Sequence, residues 1–296
     1  MQLDYHIVDV FTSEPFEGNA LAVVIDGSQL DTPMMQRIAR EFNLSETTFI
    51  VPGASTRRGT RVRIFTPGSE MEFAGHPTIG TAYMLRRLGI VAPDAMRFTL
   101  EENVGPVSVR VGDGEDPLLW LTTPPIRTLL AAAREDCAAA VSLELSDLLA
   151  DAPCQLLTAG NPTLFIPVKD ASAVDRAAVD SAPFNALVRA SGVPALVFVF
   201  APIAQGAYSR MFAPHLGVAE DPATGSATGP LAAFMMQHGL VSGDDGTTFI
   251  SEQGTKMGRR SLLHVRISGK NGSTAIEVGG NARHIAAGRI DVTLRT

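Results

Sequence analysis

Three side chains in this 296-residue chain stand where acid–base chemistry could be done. Glu46 ends the run Asn43-Leu-Ser-Glu46, just past an amphipathic stretch and just before an apolar, strand-like one. That position puts its carboxylate at a sheet edge rather than in open solvent. A carboxyl group drawn partly out of water holds a proton more readily, so it can both take one and return it. A Ser-Glu pair after a helix also serves as a capping box, but the next element here reads as strand, which weakens that explanation. His76 lies between Gly75 and Pro77, where an N-cap-like backbone leaves the ring free to point into a cleft. Asp221 precedes Pro222 and is equally suited to forming a turn.

The surroundings of these residues occur twice. Arg63-Ile-Phe-Thr-Pro67 running into Gly75-His-Pro-Thr-Ile-Gly80 is echoed by Arg210-Met-Phe-Ala-Pro214 running into Asp221-Pro-Ala-Thr-Gly-Ser226. Arg63 and Arg210 are 147 apart, whereas Gly75 and Gly225, like Gly89 and Gly239, are 150 apart, so the second copy carries three extra residues before its turn. Gly18-Asn19 and Gly160-Asn161 repeat at an offset of 142. The chain reads as two related halves, residues 1–124 with a return of 285–296, and residues 125–284, with a ligand expected where they meet.

Each half follows the same grammar. Strands are expected at His6–Phe11, Ala20–Ile25, Thr47–Val51 and Arg61–Phe65, with an amphipathic helix capped by Thr32-Pro33 and ending near Asn43. A helix over Pro77–Leu88 is closed by Gly89, and further strands fall at Met96–Leu100, Val107–Val111 and Leu118–Leu121. The second half offers strands near Thr163–Val168 and Ala195–Phe200, a helix over Ala227–His238 closed by Gly239, and strands at Thr248–Ile250, Leu262–Ile267 and Ala275–Val278. A last strand spans Arg289–Leu294. Each half is thus mostly strand around one apolar helix. A helix that starts inside an interface presents unbonded N–H groups and the positive end of its dipole. Two such starts facing one another would bind a small carboxylate, with Gly75, Gly80, Gly225 and Gly229 either letting it approach the backbone or packing helix against sheet.

Composition narrows the function classes. Hydrophobic residues at 45% and charged residues at 19% describe a globular protein, and a net charge of −7 argues against nucleic-acid binding. The apolar run Val193–Ala204 is too short to span a bilayer and reads as a buried strand. No secretory signal is visible, so the cytoplasm is the expected location, and Asn43-Leu-Ser45 and Asn271-Gly-Ser273 are discounted as glycosylation acceptors. Gly112-Asp-Gly114 lacks a dinucleotide fingerprint, there is no phosphate loop, and Ser226 lacks a nucleophile elbow. Six scattered histidines show no zinc-type spacing, and Cys137 and Cys154 read as free thiols without a chemical role.

Asp9-Val-Phe-Thr, Gly18-Asn19, Asn43-Leu-Ser-Glu46, Gly75-His-Pro-Thr78 and Glu220-Asp-Pro-Ala-Thr-Gly-Ser226, in that order and spacing, resemble the phenazine-biosynthesis PhzF-like family over nearly the whole chain. The resemblance implies the α+β diaminopimelate-epimerase-like fold: two pseudo-symmetric domains, each a barrel-like, mostly antiparallel sheet around a central helix. Racemases of that fold use two cysteines, and this chain has none at either helix start. The family's founding enzyme instead isomerises a dihydro-hydroxyanthranilate with one glutamate. Carried over, that glutamate is Glu46, assisted by His76 and Asp221, with Ser45, Gly75, Gly225 and Ser226 holding the substrate. The expectation is a homodimeric isomerase of a small carboxylate-bearing metabolite that needs no metal or organic cofactor. The alternatives are an isomerase or epimerase of another small amino or hydroxy acid, and a non-catalytic metabolite-binding protein.

Overall fold

The N-terminal apolar alternation becomes β1 (Gln2–Val10) and β2 (Asn19–Val24), an antiparallel hairpin. The computed structural model describes residues 1–52, 59–270 and 273–292. Asn271, and residues 293–294 at the end of the last expected strand, lie outside them. α1 (Thr32–Phe42) carries the chain over to β3 (Glu46–Ile50), which pairs parallel to β2 as such a crossover requires. β4 (Thr60–Phe65) and the short β5 (Glu70–Met71) lead into α2 (Gly75–Arg87). The strands β6 (Arg97–Glu102), β7 (Gly105–Val111) and β8 (Leu119–Thr122) follow.

The chain continues through β9 (Arg127–Ala132), α3 (Arg134–Ala140), β10 (Cys154–Thr158) and β11 (Thr163–Pro167). Next come α4 (Ala171–Arg176), α5 (Ser181–Ala190), β12 (Leu196–Ile203), β13 (Gly206–Ala213) and β14 (Val218–Asp221). α6 (Gly225–Gln237), β15 (Thr248–Gln253), β16 (Ser261–Lys270), β17 (Ser273–Gly280) and β18 (Ala282–Asp291) complete it. Two compact units result, one built from the chain up to Leu121 and again from Gly279, the other from Thr122–Val278.

The strand pairings repeat. In the first unit β1–β2, β3–β4 and β6–β7 are antiparallel while β2–β3 and β4–β6 are parallel. In the second, β10–β11, β12–β13 and β15–β16 are antiparallel while β11–β12 and β13–β15 are parallel. The short strands β5 and β14 pair with β4 and β13 in the same sense. The three additional residues of the second copy sit around the 3-10 turn Pro214–Leu216.

α2 and α6 are the inner helices, and both are apolar nearly all round because they are buried nearly all round. Each begins two residues earlier than its proline or alanine signal implies, at Gly75 and Gly225. Pro77 has no N–H to lose in a first turn, so the helix can start before it. His76 is therefore the second residue of α2, not its cap, which is Ala74. Gly80 presses α2 onto the sheet, since a Cβ there would lie 2.6 Å from Leu21 Cδ2 and 2.8 Å from Val10 Cγ2. A Cβ at Gly229 would lie 2.3 Å from Thr123 Oγ1, so both glycines serve helix packing. The cap of α1 is Asp31 rather than Thr32: its Oδ1 accepts from the Met34 N–H at 2.8 Å, and Asn43 ends the helix in a left-handed conformation.

The second unit has a further layer that the hydrophobic pattern did not signal. Along β12, Val197, Val199 and Ala201 face α3, α4 and α5, whereas Phe198 and Phe200 face α6. A strand buried on both faces has no polar alternation, and its outer helices are short, so neither announces the other. Cys137 on α3 and Cys154 on β10 are buried free thiols of this outer cluster. One pairing also departs from expectation: His6 Nδ1 and His284 Nε2 come within 3.0 Å across β1 and β18, 278 residues apart in sequence. Among the described residues no group of three or more potential metal ligands gathers, and no helix is long and apolar enough to cross a membrane.

Candidate active site

In the first unit three elements deliver their first residues to one place. β2 opens with Asn19, β3 with Glu46, and α2 carries His76 in its first turn. Leu21 of β2 is in register with Glu46 of β3, which sets how far along the sheet the carboxylate stands. His76 Nε2 lies 3.1 Å from Glu46 Oε2, and its Nδ1 lies 3.4 Å from Asn19 Nδ2. Ser45 immediately precedes β3, half-buried.

Burial pushes the His76 imidazole down to a pKa of about 3, so the ring is neutral at neutral pH. An amide nitrogen can only donate, so Nδ1 facing Asn19 is the acceptor and the proton resides on Nε2. That N–H points off the line to Glu46, and among the described residues Nε2 has no other hydrogen-bond partner. A buried donor in this state is suited to a ligand that completes it. The consequence for Glu46 is chemical. A charged imidazolium 3.1 Å away would hold the carboxylate as an ion pair and lower its basicity; a neutral ring leaves it a usable base. α2 has no side-chain cap, so the Gly75 and His76 N–H groups at its start are open to an anion.

The second unit answers with the same frame and different groups. α6 also begins without a side-chain cap, and its second residue, Ser226, accepts a hydrogen bond from Asn161 Nδ2 at 3.1 Å. Asn161–Ser226 therefore repeats Asn19–His76. Asp221 ends β14, buried, with Oδ2 accepting from Thr224 Oγ1 at 2.6 Å. Gln253 Nε2 donates to the Asp221 carbonyl at 2.7 Å, fixing the turn that runs from Asp221 through Gly225 into α6. The acids are not duplicated. Leu196 occupies the ladder position of Glu46, because Thr163–Leu196 repeats Leu21–Glu46, and Met71 occupies that of Asp221, because Ile64–Met71 repeats Met211–Asp221.

Two asparagines belong to this frame although sequence reasoning gave them no chemistry; the recurring Gly-Asn pair was the signal that could have found them. A surface groove lined by Met34, Arg37, Phe42, Arg289 and Ile290 contains none of these residues.

Comparison with known proteins agrees with this architecture over its full length. The chain is 36% identical to an uncharacterized isomerase of Mesorhizobium japonicum, covering 97% of this chain and 98% of that protein. It is 34% identical to the trans-2,3-dihydro-3-hydroxyanthranilate isomerase of Pseudomonas chlororaphis, again with 97% and 98% covered. The crystal structure of a Bacillus anthracis phenazine biosynthesis protein of the PhzF family superposes with a TM-score of 0.90 at 26% identity, covering 99% of this chain and all of that one. The family model described as phenazine biosynthesis-like protein matches residues 8–288. With matching fold, near-complete coverage and relatives named as isomerases, the chain belongs to the phenazine biosynthesis-like PhzC-PhzF family and is an isomerase.

Proposed function

We propose that this isomerase moves one proton between carbons of a small carboxylate-bearing metabolite of the dihydro-hydroxyanthranilate type, with Glu46 as both base and acid. The observation that carries the reading is the single carboxylate beside a neutral imidazole, with leucine at the equivalent ladder position of the other unit. A two-base epimerase needs a second proton carrier, and the repeat offers none there. Cys137 and Cys154 are buried in a core cluster and do not substitute for one.

The Glu46 carboxylate takes a proton from a C–H adjacent to the substrate's conjugated system, and the electron pair spreads into that system. The protonated Glu46 then delivers the same proton to another carbon, so that no proton is gained or lost overall. The open N–H groups at the start of α2 bind the substrate carboxylate or the developing negative charge, and Nε2–H of His76 donates to a substrate oxygen. Asn19 holds the His76 tautomer. Ser45, beside Glu46, is a further candidate for substrate binding in the first unit, and the family resemblance adds Asp221, Gly225 and Ser226 in the second.

The test is turnover of trans-2,3-dihydro-3-hydroxyanthranilate followed by NMR with wild type and Glu46→Gln. Loss of roughly 10²–10⁴-fold in kcat with ligand binding retained is expected. Full activity in Glu46→Gln would remove the reading.

A further inference from the structure

Glu102, the last residue of β6, is a buried carboxyl with no place in the mechanism above. Its Oε1 lies 2.6 Å from Thr78 Oγ1, and that same hydroxyl lies 2.7 Å from the carbonyl of Ala74, the cap residue of α2. A hydroxyl carries one proton. If Thr78 gives it to Ala74 O, as helical threonines do toward the residue four back, it can meet Glu102 at this distance only by accepting. Glu102 must then bring the proton.

The internal repeat supports the same assignment from a different direction. Arg61–Glu101 in the β4–β6 ladder corresponds to Tyr208–Glu252 in the β13–β15 ladder, so the residue after each corresponds too: Glu102 matches Gln253. Gln253 Nε2 donates to Thr224 Oγ1 at 3.0 Å and to the Asp221 carbonyl, holding the turn that opens α6. A side chain that cannot ionise thus stands at the equivalent position and donates to the start of α6, although its partner there is Thr224, the counterpart of Ala74, while Thr228, the counterpart of Thr78, donates to the Thr224 carbonyl. Among the described residues Glu102 Oε2 has no hydrogen-bond partner, a cost that a neutral acid tolerates and a buried anion does not.

We propose that Glu102 is a positioning residue for the reaction: as a neutral carboxylic acid it donates to Thr78 Oγ1, which donates to Ala74 O, and so fixes the turn that presents His76 and the open N–H groups of α2. Burial raises its pKa to about 8; Arg61 on β4 pulls the other way, as would Thr78 were it the donor. Its sequence neighbour Asn103 donates to Glu70 of the Arg63–Glu70 pair of β4 and β5, and its ladder partner on β7 is the uncharged Gly105. Ionisation would withdraw the donor and set a negative charge beside the anion-binding helix start. Substrate binding would weaken, and the chemistry at Glu46 would not.

The role of the turn rests on the function proposed above; the protonation state does not, and the experiment separates them. In a pH titration of protein labelled with 13C at the glutamate carboxyls, one carbon should keep the protonated shift at about pH 7 and ionise only near pH 8. It should be missing from Glu102→Gln and displaced in Thr78→Val. Ionisation of every glutamate at neutral pH overturns the proposal, without any assay of turnover. In kinetics, wild-type KM should rise roughly tenfold per pH unit above about pH 8 with kcat little changed. Glu102→Gln should abolish that rise while keeping kcat/KM at neutral pH within about threefold of wild type. A rise that persists in Glu102→Gln overturns the positioning role. So does a loss of roughly a hundredfold at neutral pH. Should Glu102→Gln fail to fold, the wild-type titration and its response to Thr78→Val decide alone.

Discussion

Asn19 settles the state of His76, and His76 settles what Glu46 can do. With Nδ1 taken by the asparagine amide, burial of the ring outweighs the pull of the carboxylate 3.1 Å away and keeps the imidazole neutral in the physiological range. The 15N resonances of His76 should therefore report the Nε2–H tautomer and show no titration between about pH 5 and 8. Asn19→Ala removes the donor to Nδ1 and should produce a tautomer mixture with roughly a tenfold loss of kcat/KM, the worth of one buried hydrogen bond. Unchanged kinetics and an unchanged tautomer would detach Asn19 from the site. At this scale the sequence pointed to Glu46 and His76 because a carboxylate before a strand and a histidine in a Gly-Pro turn are unusual placements. It was silent on Glu102, which reads in one dimension as the ordinary charged end of a strand and becomes significant only when Thr78 lies against it.

Among the elements, α2 positions His76 only because Gly80 lets it sit down on β1 and β2. Gly80→Ala would bring a methyl group against Leu21 and Val10, and overpacking of this kind costs about 1–3 kcal/mol. Displacing α2 also moves His76 from Glu46, so kcat/KM should fall further than thermal stability suggests. A variant of wild-type stability and activity would show that the helix has slack. Glycine was ambiguous in the sequence, equally fit for ligand approach and for packing, and the neighbours at Gly80 and Gly229 resolve it. The inner helices and most strands were legible because each has one long apolar signal. α3, α4 and α5 were not, since they are short and cover a strand layer whose other face is equally apolar.

For the whole molecule, the repeat is the organising fact, and the two units differ where chemistry is proposed: Glu46 against Leu196, Glu102 against Gln253, His76 against Ser226. Two buried titrations give the fold an optimum in pH. His76 has its folded pKa lowered from 6.5 to about 3, so the unfolded chain binds the extra proton and stability is lost as pH falls from 6.5 toward 3. Glu102 has its folded pKa raised from 4.5 to about 8, so the folded state holds the extra proton, and stability is lost as pH rises from 4.5 toward 8. Thermal unfolding of Glu102→Gln should lack that alkaline loss, and the variant should gain on wild type between pH 5 and 8 by up to the order of 3 kcal/mol. Parallel curves would mean that Glu102 does not change its proton between the folded and unfolded states.

In the proposed mechanism one glutamate carries a single proton from one carbon to another. This is tested most directly by supplying dihydro-hydroxyanthranilate deuterated at the carbon to be deprotonated and following the label by NMR during a single turnover in ordinary water. Glu46 acting alone predicts a substantial fraction of the deuterium at the new carbon of the product, and none rearranged with Glu46→Gln. Complete washout of the label to solvent with normal turnover, or label transfer that survives Glu46→Gln, would contradict the account.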